Sequence, residues 1–477
     1  MISEGVKMVF SSSIFVFLFL PTTLLLYFLA EKSNRNSLKN TVVLLASLVF
    51  YLWGGVKYLI LLLFLVIVNY VIGLLIENTN YKKIFLIIGL AIDILDLVFF
   101  KYLNFILYNL ETVIHKIIDD EFSFGVPQIV LPIGISFFTF QIMSYLIDVY
   151  RREVPAQKNV AKLGLYIMMF PQLIVGPIVR YSDVNKEIDE RKTSFEMLES
   201  GLKRFIIGFA KKVFIANSMG SMADAVFKVD GQVNTIYAWI GAVCYTMQIF
   251  FDFSAYSDMA IGLGRVFGFH FNENFNYPYI SKSIKEFWRR WHISLSTWFR
   301  DYVYIPLGGN RKGVKRTYIN LSIVFLLTGI WHGAAWQFIV WGAIHGFFLI
   351  LERGKFGELL NKLPNIIKRI YTLLIVVVGW VFFRAESLGK AVFYLKNMFV
   401  INLQGVANVT IVMEFTNMFL VMSAVAILAS TPLFQKIGAA KLFNIEWLNR
   451  ACYLVLWFIS VIYMVGLSYN PFIYFQF

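Results

Sequence analysis

Long apolar runs separated by short charged segments are the dominant pattern along this chain. The runs lie at about 8–30, 41–53, 57–76, 83–107, 128–148, 163–179, 201–218, 236–262, 318–352, 366–384, 411–430 and 449–468. Crossing the hydrocarbon core of a membrane takes about 20 apolar residues in a helix. The pattern therefore predicts an all-α polytopic membrane protein with about 11–12 transmembrane helices plus re-entrant segments.

The composition agrees with a membrane protein and excludes several other classes. Of the 477 residues, 58% are hydrophobic and 15% are charged, and the net charge is +14. Soluble domains are about 45–50% apolar and about 25% charged, so a soluble or disordered chain is excluded, and so is nucleic-acid binding as the main activity. Two cysteines, Cys244 and Cys452, exclude a disulfide framework and a thiolate zinc cluster.

The loop charges predict an orientation, because Lys and Arg are retained on the cytoplasmic side of short loops. The loop after the first run contains Lys32, Arg35 and Lys39, which places the N-terminus outside. Continuing along the chain gives a consistent pattern only if 163–179 enters the membrane and returns. Both termini are then extracytoplasmic, and Phe477 lies outside.

The run 318–352 has to leave and re-enter the cytoplasm within 35 residues. Two complete spans need about 40 residues, so the helices are either short or re-entrant. We predict the turn at Thr328–Gly333, which puts His332 at or near the membrane interior. A buried ionisable group there usually marks a pathway or a reaction, and a neutral imidazole is suited to removing a proton from a hydroxyl. His345 would face elsewhere on a continuous helix and is expected to be a packed core residue.

A second histidine, His292, lies in the helix-like run from Ser283 to Tyr304. An aromatic stripe and a polar stripe alternate along this run at helical spacing. One interpretation is an interfacial helix with aromatic anchors and snorkelling cations. The other is a reactive site beside a basic patch.

The patch between Ser281 and Arg316 contains nine cations and two carboxylates. Ordinary positive-inside bias accounts for part of this charge, but the patch also suits a polyphosphorylated donor such as coenzyme A. The segment Pro306–Asn310 is either a plain tight turn or a backbone nest for phosphate. The candidate donor-binding residues are Arg289, Arg290, Arg300, Asn310, Arg311 and Lys312.

Two carboxylates lie near the inner end of the apolar run 236–262. Asp252, Ser254 and Asp258, together with Trp331, are candidate residues lining a substrate channel. The alternative for Asp258 is an ion pair with Arg265, seven residues further along the same helix face. The aromatic C-terminal tail, 469–477, either anchors the chain at the membrane interface or offers the Tyr474 hydroxyl on the extracytoplasmic side.

Several ordered motifs resemble those of the membrane-bound O-acyltransferase family. They are DFSAYSDMAIG (252–262), ENFNYPY (273–279), FWRRWHISLS (287–296), WFRDY (298–302), YIPLGGN (304–310) and GIWHG (329–333). The resemblance is dense over 250–346 and closest to the bacterial branch with the alginate and peptidoglycan O-acetylation membrane subunits. It implies a single domain, 1–477, forming a helical ring around a central tunnel. His332 matches the invariant histidine of the family and His292 the second histidine of this branch.

The resemblance also implies a reaction. An acyl group, most readily acetyl, would move from a cytoplasmic thioester such as acetyl-CoA, through the tunnel and onto Tyr474. A secreted SGNH-type partner would then acylate a cell-wall or extracellular polysaccharide. His332 would act as general base, and His292 would orient the thioester or protonate the departing thiolate. Asn310 is a weak candidate for the oxyanion donor, and no metal or tightly bound cofactor is implied.

Three alternatives remain open at the level of sequence. They are D-alanyl transfer of the teichoic-acid type, transport of an anionic substrate, and a non-catalytic scaffold for a cell-wall enzyme. The expected location is the bacterial cell membrane, with membrane lipids, the thioester donor and the secreted protein as partners and no nucleic acid.

Overall fold

The computed structural model describes residues 8–118, 122–126, 128–174, 176–229, 231–404, 409–438, 445–466 and 469–471. These residues form helices and connecting segments, with no β-strand among them. The predicted all-α class is confirmed. The chain forms two compact units, the first comprising Met1–Gly201 with Leu263–Asn272 and the second Leu202–Gly262 with Glu273–Phe477. The interpretation of 1–477 as a single domain stays a prediction.

The helices of the first unit include one long apolar helix and several shorter ones. They are Leu20–Glu31, Asn36–Leu52, Val56–Asn78, Lys82–Leu97, Leu103–Ile117, Ile135–Arg151, Val160–Met168, Phe170–Leu173 and Tyr181–Asp189. Leu20–Glu31 is preceded by a π-helical turn at Phe15–Phe19, and Lys82–Leu97 is joined to Leu103–Ile117 by another at Val98–Tyr102.

The segment predicted to enter the membrane and return is broken inside the first unit. Asn159 begins it, because its side chain accepts from the Ala161 and Lys162 amides. Helical geometry stops at Met169 and resumes for one turn at Phe170–Leu173. The Phe170 amide donates to Ser47 Oγ at 3.0 Å. Protein groups therefore satisfy the broken backbone, which is the condition for irregular chain at membrane depth.

The second unit contains the motif-dense part of the sequence. Its helices are Asn217–Phe227, Ile284–Arg290, Ile293–Phe299, Gly313–His332, Trp336–Leu351, Lys355–Lys362, Asn365–Arg384, Leu388–Phe399, Val409–Glu414, Asn417–Ala429, Leu433–Gly438 and Glu446–Gly466. The unit boundaries fall within two further helices, Phe195–Ala210 and Thr235–Val266. A π-helical turn at Lys211–Ala216 joins Phe195–Ala210 to Asn217–Phe227, and another at Arg300–Tyr304 follows Ile293–Phe299.

Four helices in the described part of the chain are long and apolar enough to cross a membrane, and four apolar helices are shorter. The long ones are Val56–Asn78, Thr235–Val266, Asn365–Arg384 and Glu446–Gly466, and the shorter ones Phe15–Glu31, Asn36–Leu52, Trp336–Leu351 and Asn417–Ala429. The total of about 11–12 crossings stays a prediction. On Glu446–Gly466, Leu454, Phe458 and Ile462 are 56%, 62% and 72% exposed at four-residue spacing. Such a continuous apolar stripe fits contact with lipid.

The hairpin of Gly313–His332 and Trp336–Leu351 corrects the predicted position of the turn. We expected the reversal at Thr328–Gly333, but the first helix continues through His332 and the chain reverses at 333–335. The glycines explain the difference, because they serve close packing between helices. A Cβ at Gly329 would lie 2.5 Å from the Phe338 carbonyl oxygen, and one at Gly342 would clash with the Phe325 carbonyl oxygen. Small residues at these positions let the two backbones approach.

Candidate active site

His332 is the last residue of its helix and lies among aromatic rings in the second unit. His332 is buried, with 8% of its surface exposed. The imidazole centroid lies 4.9 Å from Trp331, 4.9 Å from Trp341 and 5.1 Å from Phe383. Gly333 continues in extended backbone, φ −168° and ψ 153°, so the helix ends directly after the imidazole. The histidine is thus held at the tip of the hairpin by large rings that exclude water.

His345 lies in the second helix of the same hairpin and is fully buried. Its Nδ1 accepts from the Trp288 indole N–H at 3.3 Å, and its ring centroid is 5.1 Å from Trp341. It is a packed, hydrogen-bonded core residue, as expected. The expectation that it faces away from His332 is wrong, because the chain reverses between them and both rings contact Trp341.

His292 corrects the predicted continuous helix from Ser283 to Tyr304. The structure has separate helices Ile284–Arg290 and Ile293–Phe299, and His292 joins them with φ +45° and ψ 56°. This left-handed conformation is uncommon for a residue other than glycine and is found mostly where surrounding structure imposes it. The break turns the side chain inward, so His292 is fully buried instead of facing outward with Lys285 and Arg289.

The hydrogen bonds at His292 define which nitrogen carries its proton. Nδ1 lies 3.2 Å from Asn274 Oδ1, which also accepts from the Ser294 amide at 3.2 Å and the Ser294 hydroxyl at 2.9 Å. An amide oxygen is an acceptor, so Nδ1 donates to it and Nε2 is the basic atom of the neutral ring. His292 lies outside the membrane-spanning helices, and burial lowers its pKa to about 3. The ring is therefore neutral at physiological pH.

Trp331 brings the two candidate histidines into one aromatic cluster. Its ring centroid is 4.9 Å from His332 and 6.0 Å from His292. Phe253 closes the other side of His292 in an edge-on contact, with centroids 4.7 Å apart. The sequence placed these histidines on different segments, 40 residues apart. The structure places both against one indole.

The candidate donor-binding residues differ in their ion pairs and in their exposure to solvent. Arg290 pairs with Glu286 at 2.9 Å and donates to the Asn276 carbonyl at 3.0 Å. Arg300 pairs with Asp301 at 2.6 Å. The other four, Arg289, Asn310, Arg311 and Lys312, are exposed.

Asn310 lines a cleft of about 470 Å³ that the sequence did not predict. Lys285 and Arg353 contribute cations to its lining, and Glu352 contributes a carboxylate that accepts from the Ile284 and Lys285 amides at 2.6 and 3.0 Å. The remaining lining residues are Ser283, Leu349, Gly357, Leu360 and Asn361. A cleft with two cations and two side-chain amides has polar groups that a phosphate-bearing ligand needs.

The turn before this cleft is shaped by glycine. Gly308 and Gly309 have φ +104° and +54°, in the region that favours glycine. Asn320 Nδ2 donates to the Gly309 carbonyl at 2.9 Å and to the Leu307 carbonyl at 3.4 Å. Carbonyls, which are acceptors, thus point at the supporting side chain. This arrangement is typical of a tight turn held from within the protein.

Asp258 pairs with residues that sequence reasoning missed. Its carboxylate accepts from Arg204 Nη2 at 2.9 Å and from Lys211 Nζ at 2.7 Å. The alternative ion pair with Arg265 is wrong, because seven residues correspond to about 10 Å along a helix, whereas the cationic side chains of neighbouring helices reach the carboxylate directly. Asp252 pairs in the same way with Lys212 at 2.7 Å. The sequence contained a signal for these ion pairs, since Lys211 and Lys212 interrupt the apolar run 201–218.

Ser254 is buried on the same helix as the two aspartates. Tyr474 lies outside the described residues, although 469–471 are described and contact the second unit. Channel lining by Asp252, Ser254, Asp258 and Trp331 stays a prediction.

These features define a class of protein: a polytopic helical membrane enzyme with buried histidines in an aromatic site. A profile of the MBOAT family, described as membrane-bound O-acyltransferase family, matches residues 149–384. The probable alginate O-acetylase AlgI of Pseudomonas putida is 41% identical over 98% of this chain and 100% of its own length. The chain belongs to the membrane-bound O-acyltransferase family and is an O-acyltransferase.

Two other relatives show how far the similarity extends. The peptidoglycan O-acetyltransferase of Helicobacter pylori is 37% identical, over 84% of this chain and 81% of its own. The teichoic acid D-alanyltransferase of Bacillus subtilis is 33% identical, over 52% of this chain and 66% of its own. The predicted family, its acetylating bacterial branch and the enzyme class are confirmed.

Proposed function

We propose that this protein transfers an acetyl group from a cytoplasmic thioester, acetyl-CoA, toward hydroxyl groups of a cell-wall or extracellular polysaccharide. The observation that carries the proposal is the pair His292 and His332 on one indole, Trp331, inside a chain similar over its whole length to an alginate O-acetylase. D-alanyl transfer is the weaker candidate, since the D-alanyltransferase similarity covers 52% of this chain.

His332 acts as general base in the proposed reaction. It removes the proton of the attacking hydroxyl, the hydroxyl oxygen bonds to the acyl carbon, and the carbon–sulfur bond breaks. The proton passes from the imidazole to the departing thiolate, so the histidine returns to its starting state. General-base catalysis of this kind contributes about 10²–10⁴-fold in rate.

His292 orients the reacting groups instead of supplying a proton. Its Nδ1–H is directed at Asn274, and a pKa of about 3 keeps Nε2 unprotonated at neutral pH. A group with so low a pKa is a poor general acid for a thiolate, whose conjugate acid has a pKa of about 8.5. Of the two roles considered for His292, orientation is the one these observations favour.

The donor's phosphates bind at the exposed cations near the cleft. Arg289, Arg311 and Lys312 are available to solvent, while Arg290 and Arg300 already pair with carboxylates. Asn310 lines the cleft beside Lys285 and Arg353. This charge supports a polyphosphorylated donor, because several cations can pair with phosphate oxygens at once.

Tyr474 is the proposed first acceptor, and a secreted SGNH-type protein takes the acetyl group from it. The tyrosyl oxygen forms an ester with the acyl carbon as thiol departs, and a second hydroxyl later displaces the tyrosine. This step requires the C-terminus to be extracytoplasmic, in the orientation that the loop charges favour. The protein acts in the cell membrane, where lipids surround its apolar helices.

The test uses purified protein in liposomes with radiolabelled acetyl-CoA. We expect His332→Ala to reduce thioester consumption by about 10²–10⁴-fold. Tyr474→Phe should abolish label on the protein. His115→Gln, which alters a histidine of the first unit, is the matched control and should retain activity.

The same assay distinguishes the alternatives. A folded His332→Ala protein with wild-type turnover would refute the catalytic assignment. Wild-type protein that ignores acetyl-CoA but accepts a D-alanyl carrier-protein thioester would replace acetyl transfer by D-alanyl transfer. Retention of label in Tyr474→Phe would exclude the tyrosyl ester while leaving the acyltransferase assignment intact.

A further inference from the structure

The cleft of about 470 Å³ lies where apolar helices of the second unit end. The apolar helix Trp336–Leu351 ends at the cleft, because its last turn and the residues directly after it contribute to the lining. Asn365–Arg384, which is long and apolar enough to cross a membrane, begins directly after the connecting helix Lys355–Lys362. Lys368 Nζ donates to the carbonyl oxygen of the lining residue Asn361 at 3.0 Å, which ties the start of the long helix to the cleft. A cleft where membrane helices end lies at the level of the lipid headgroups.

The segment that joins these two apolar helices is rich in cations. Between residues 352 and 369 the chain has five cations and two carboxylates. Lys and Arg are retained on the cytoplasmic side of short loops, so this charge predicts that the cleft faces the cytoplasmic leaflet. Anionic lipids give that leaflet a negative surface, and basic pockets between membrane helices on this side bind their headgroups.

Two cations within the cleft are available to an anion. Lys285 and Arg353 both line the cleft and are both exposed. The Glu352 carboxylate, which also lines the cleft, accepts from the Ile284 and Lys285 amides at 2.6 and 3.0 Å. Because backbone amides engage both carboxylate oxygens, the side chains of Lys285 and Arg353 are left to pair with phosphate oxygens.

Apolar side chains complete the lining and continue beyond it. Leu349 and Leu360 line the cleft and are buried. Leu359, beside Leu360 on the connecting helix, is 58% exposed. Ile366 and Ile370, four residues apart at the start of the long helix, are 62% and 59% exposed. Cations bordered by exposed apolar surface fit a lipid better than a ligand from water, because headgroup and acyl chains are then both matched.

We propose that this cleft binds the phosphate headgroup of an anionic lipid of the cytoplasmic leaflet, with Lys285 and Arg353 pairing with the phosphate oxygens. The leucines of the lining contact the glycerol and the first carbons of the acyl chains. This site goes beyond the proposed acyl transfer and does not depend on it, because the exposed cations Arg289, Arg311 and Lys312 remain for the donor. Coenzyme A shares the phosphate chemistry, so the experiments separate the two sources.

The first experiment measures lipid binding to the full chain in detergent by native mass spectrometry. Phosphatidylglycerol is the anionic probe, and phosphatidylcholine, which has a phosphate but no net charge, is the reference. The paired change Lys285→Gln with Arg353→Gln removes both cations of the cleft. The matched control is Lys355→Gln with Lys362→Gln, which removes the same charge from exposed residues of the connecting helix that lie outside the lining.

We expect wild type to bind one phosphatidylglycerol about tenfold more tightly than phosphatidylcholine, and the cleft variant to lose about tenfold of the phosphatidylglycerol affinity. The control variant should stay within about twofold of wild type. Equal affinity of wild type for the two lipids, or of wild type and the folded cleft variant for phosphatidylglycerol, would overturn the inference. A loss of the same size in the control would also overturn it, because general attraction between charges would then hold the lipid.

The second experiment uses the unaltered protein and determines which source of phosphate occupies the cleft. Lysines are reductively methylated in vesicles of phosphatidylcholine alone, in vesicles that also contain phosphatidylglycerol, and in phosphatidylcholine vesicles with coenzyme A on both sides of the membrane. Peptide mass spectrometry gives the modification rates of Lys285 and of Lys355, the internal reference. We expect phosphatidylglycerol to slow the modification of Lys285 about threefold more than that of Lys355.

The two sources give opposite results in this experiment. Protection of Lys285 by coenzyme A without protection by phosphatidylglycerol would assign the cleft to the thioester donor and overturn the inference. Neither readout involves turnover, so the proposed acyl transfer is tested separately by His332→Ala, and either proposal can fail while the other stands.

Discussion

At the scale of single residues, burial and backbone conformation decide what each histidine can do. His292 has a left-handed backbone conformation, is fully buried and directs its Nδ1–H to Asn274 Oδ1. His345 accepts an indole N–H and serves packing. The sequence singled out His332 and His292, and their catalytic roles stay a prediction. It did not reveal the left-handed break at His292, because the surrounding residues all have helical periodicity and the cause lies in Asn274, a contact distant in sequence.

The pH dependence of stability is the first residue-scale prediction. The pKa of His292 is about 3 in the folded protein, against about 6.5 in an unfolded chain. Below pH 6.5 the unfolded chain therefore binds a proton that the folded protein does not, and the free energy of unfolding falls as pH decreases toward 3. The slope for one group is at most about 1.4 kcal/mol per pH unit.

His292→Asn removes this titration while keeping a residue that tolerates positive φ. We expect the melting temperature in detergent to fall less steeply between pH 6.5 and 4.5 in this variant than in wild type. His115→Gln is the control for loss of a histidine elsewhere. Identical pH profiles for wild type and His292→Asn would contradict the prediction.

The ion pairs of Asp258 supply a second residue-scale prediction. Lys211→Met removes one of the two cations that pair with this largely buried carboxylate, and because Arg204 still pairs with Asp258, the loss of stability should lie below the about 3–5 kcal/mol of a buried pair broken outright. Arg265→Gln should change stability by less than about 0.5 kcal/mol, because Arg265 does not pair with Asp258. Thermal unfolding of the two variants in the same detergent compares them. Equal losses of thermal stability in the two variants would favour the ion pair between Asp258 and Arg265, which the structure contradicts.

At the scale of elements, close contact between hairpin helices positions the site. Gly342 faces the Phe325 carbonyl oxygen, and Trp341, beside it in sequence, contacts His332. The apolar pattern predicted the hairpin and its unusual brevity. It did not predict the turn, since a glycine used for helix packing and a glycine used for a turn look alike in sequence.

Gly342→Ala tests this element. The added methyl group has no room beside the Phe325 carbonyl, so the helices must separate, and overpacking of this kind costs about 1–3 kcal/mol. We expect lower thermal stability together with reduced turnover, because the ring that flanks His332 moves with the helix. At Gly354 a Cβ would meet its nearest atom at an ordinary 3.7 Å. Gly354→Ala should therefore have the thermal stability and turnover of wild type. The packing argument would be contradicted if Gly342→Ala lowered stability and turnover no more than Gly354→Ala does.

At the scale of the whole molecule, composition predicted the class of fold with little ambiguity. A chain with 58% hydrophobic residues has too little polar surface for water, and its exposed apolar stripes fit contact with lipid. Division into two compact units was not predicted, because it depends on Leu263–Asn272 belonging with residues before 202. The hydrophobic periodicity of a sequence does not predict that a later segment packs with a much earlier one.

The lipid-facing stripe of Glu446–Gly466 gives the prediction at this scale. Phe458 is 62% exposed near the middle of that helix. An arginine at the centre of a membrane helix costs about 2.5–3.5 kcal/mol on insertion scales. Phe458→Arg should lower the yield of folded, membrane-inserted protein, and Phe458→Leu should not. Normal yield of the arginine variant would place this face against protein or water instead of lipid.

The π-helical turn at Lys211–Ala216 has a consequence for how the length of this chain can change. A π turn holds one more residue than an α turn, so deleting a single residue here would yield a regular, intrinsically better helix. The π turn accommodates its extra residue without changing the rotation of the flanking helices, so the residues beyond the deletion would keep their orientation, whereas the same deletion from a regular α-helix would rotate them by about 100°. The loss would fall on the turn itself, where the adjacent lysines reach different aspartates, Asp258 and Asp252. Single-residue shortening here should therefore preserve the packing of the flanking helices but break one of these two ion pairs.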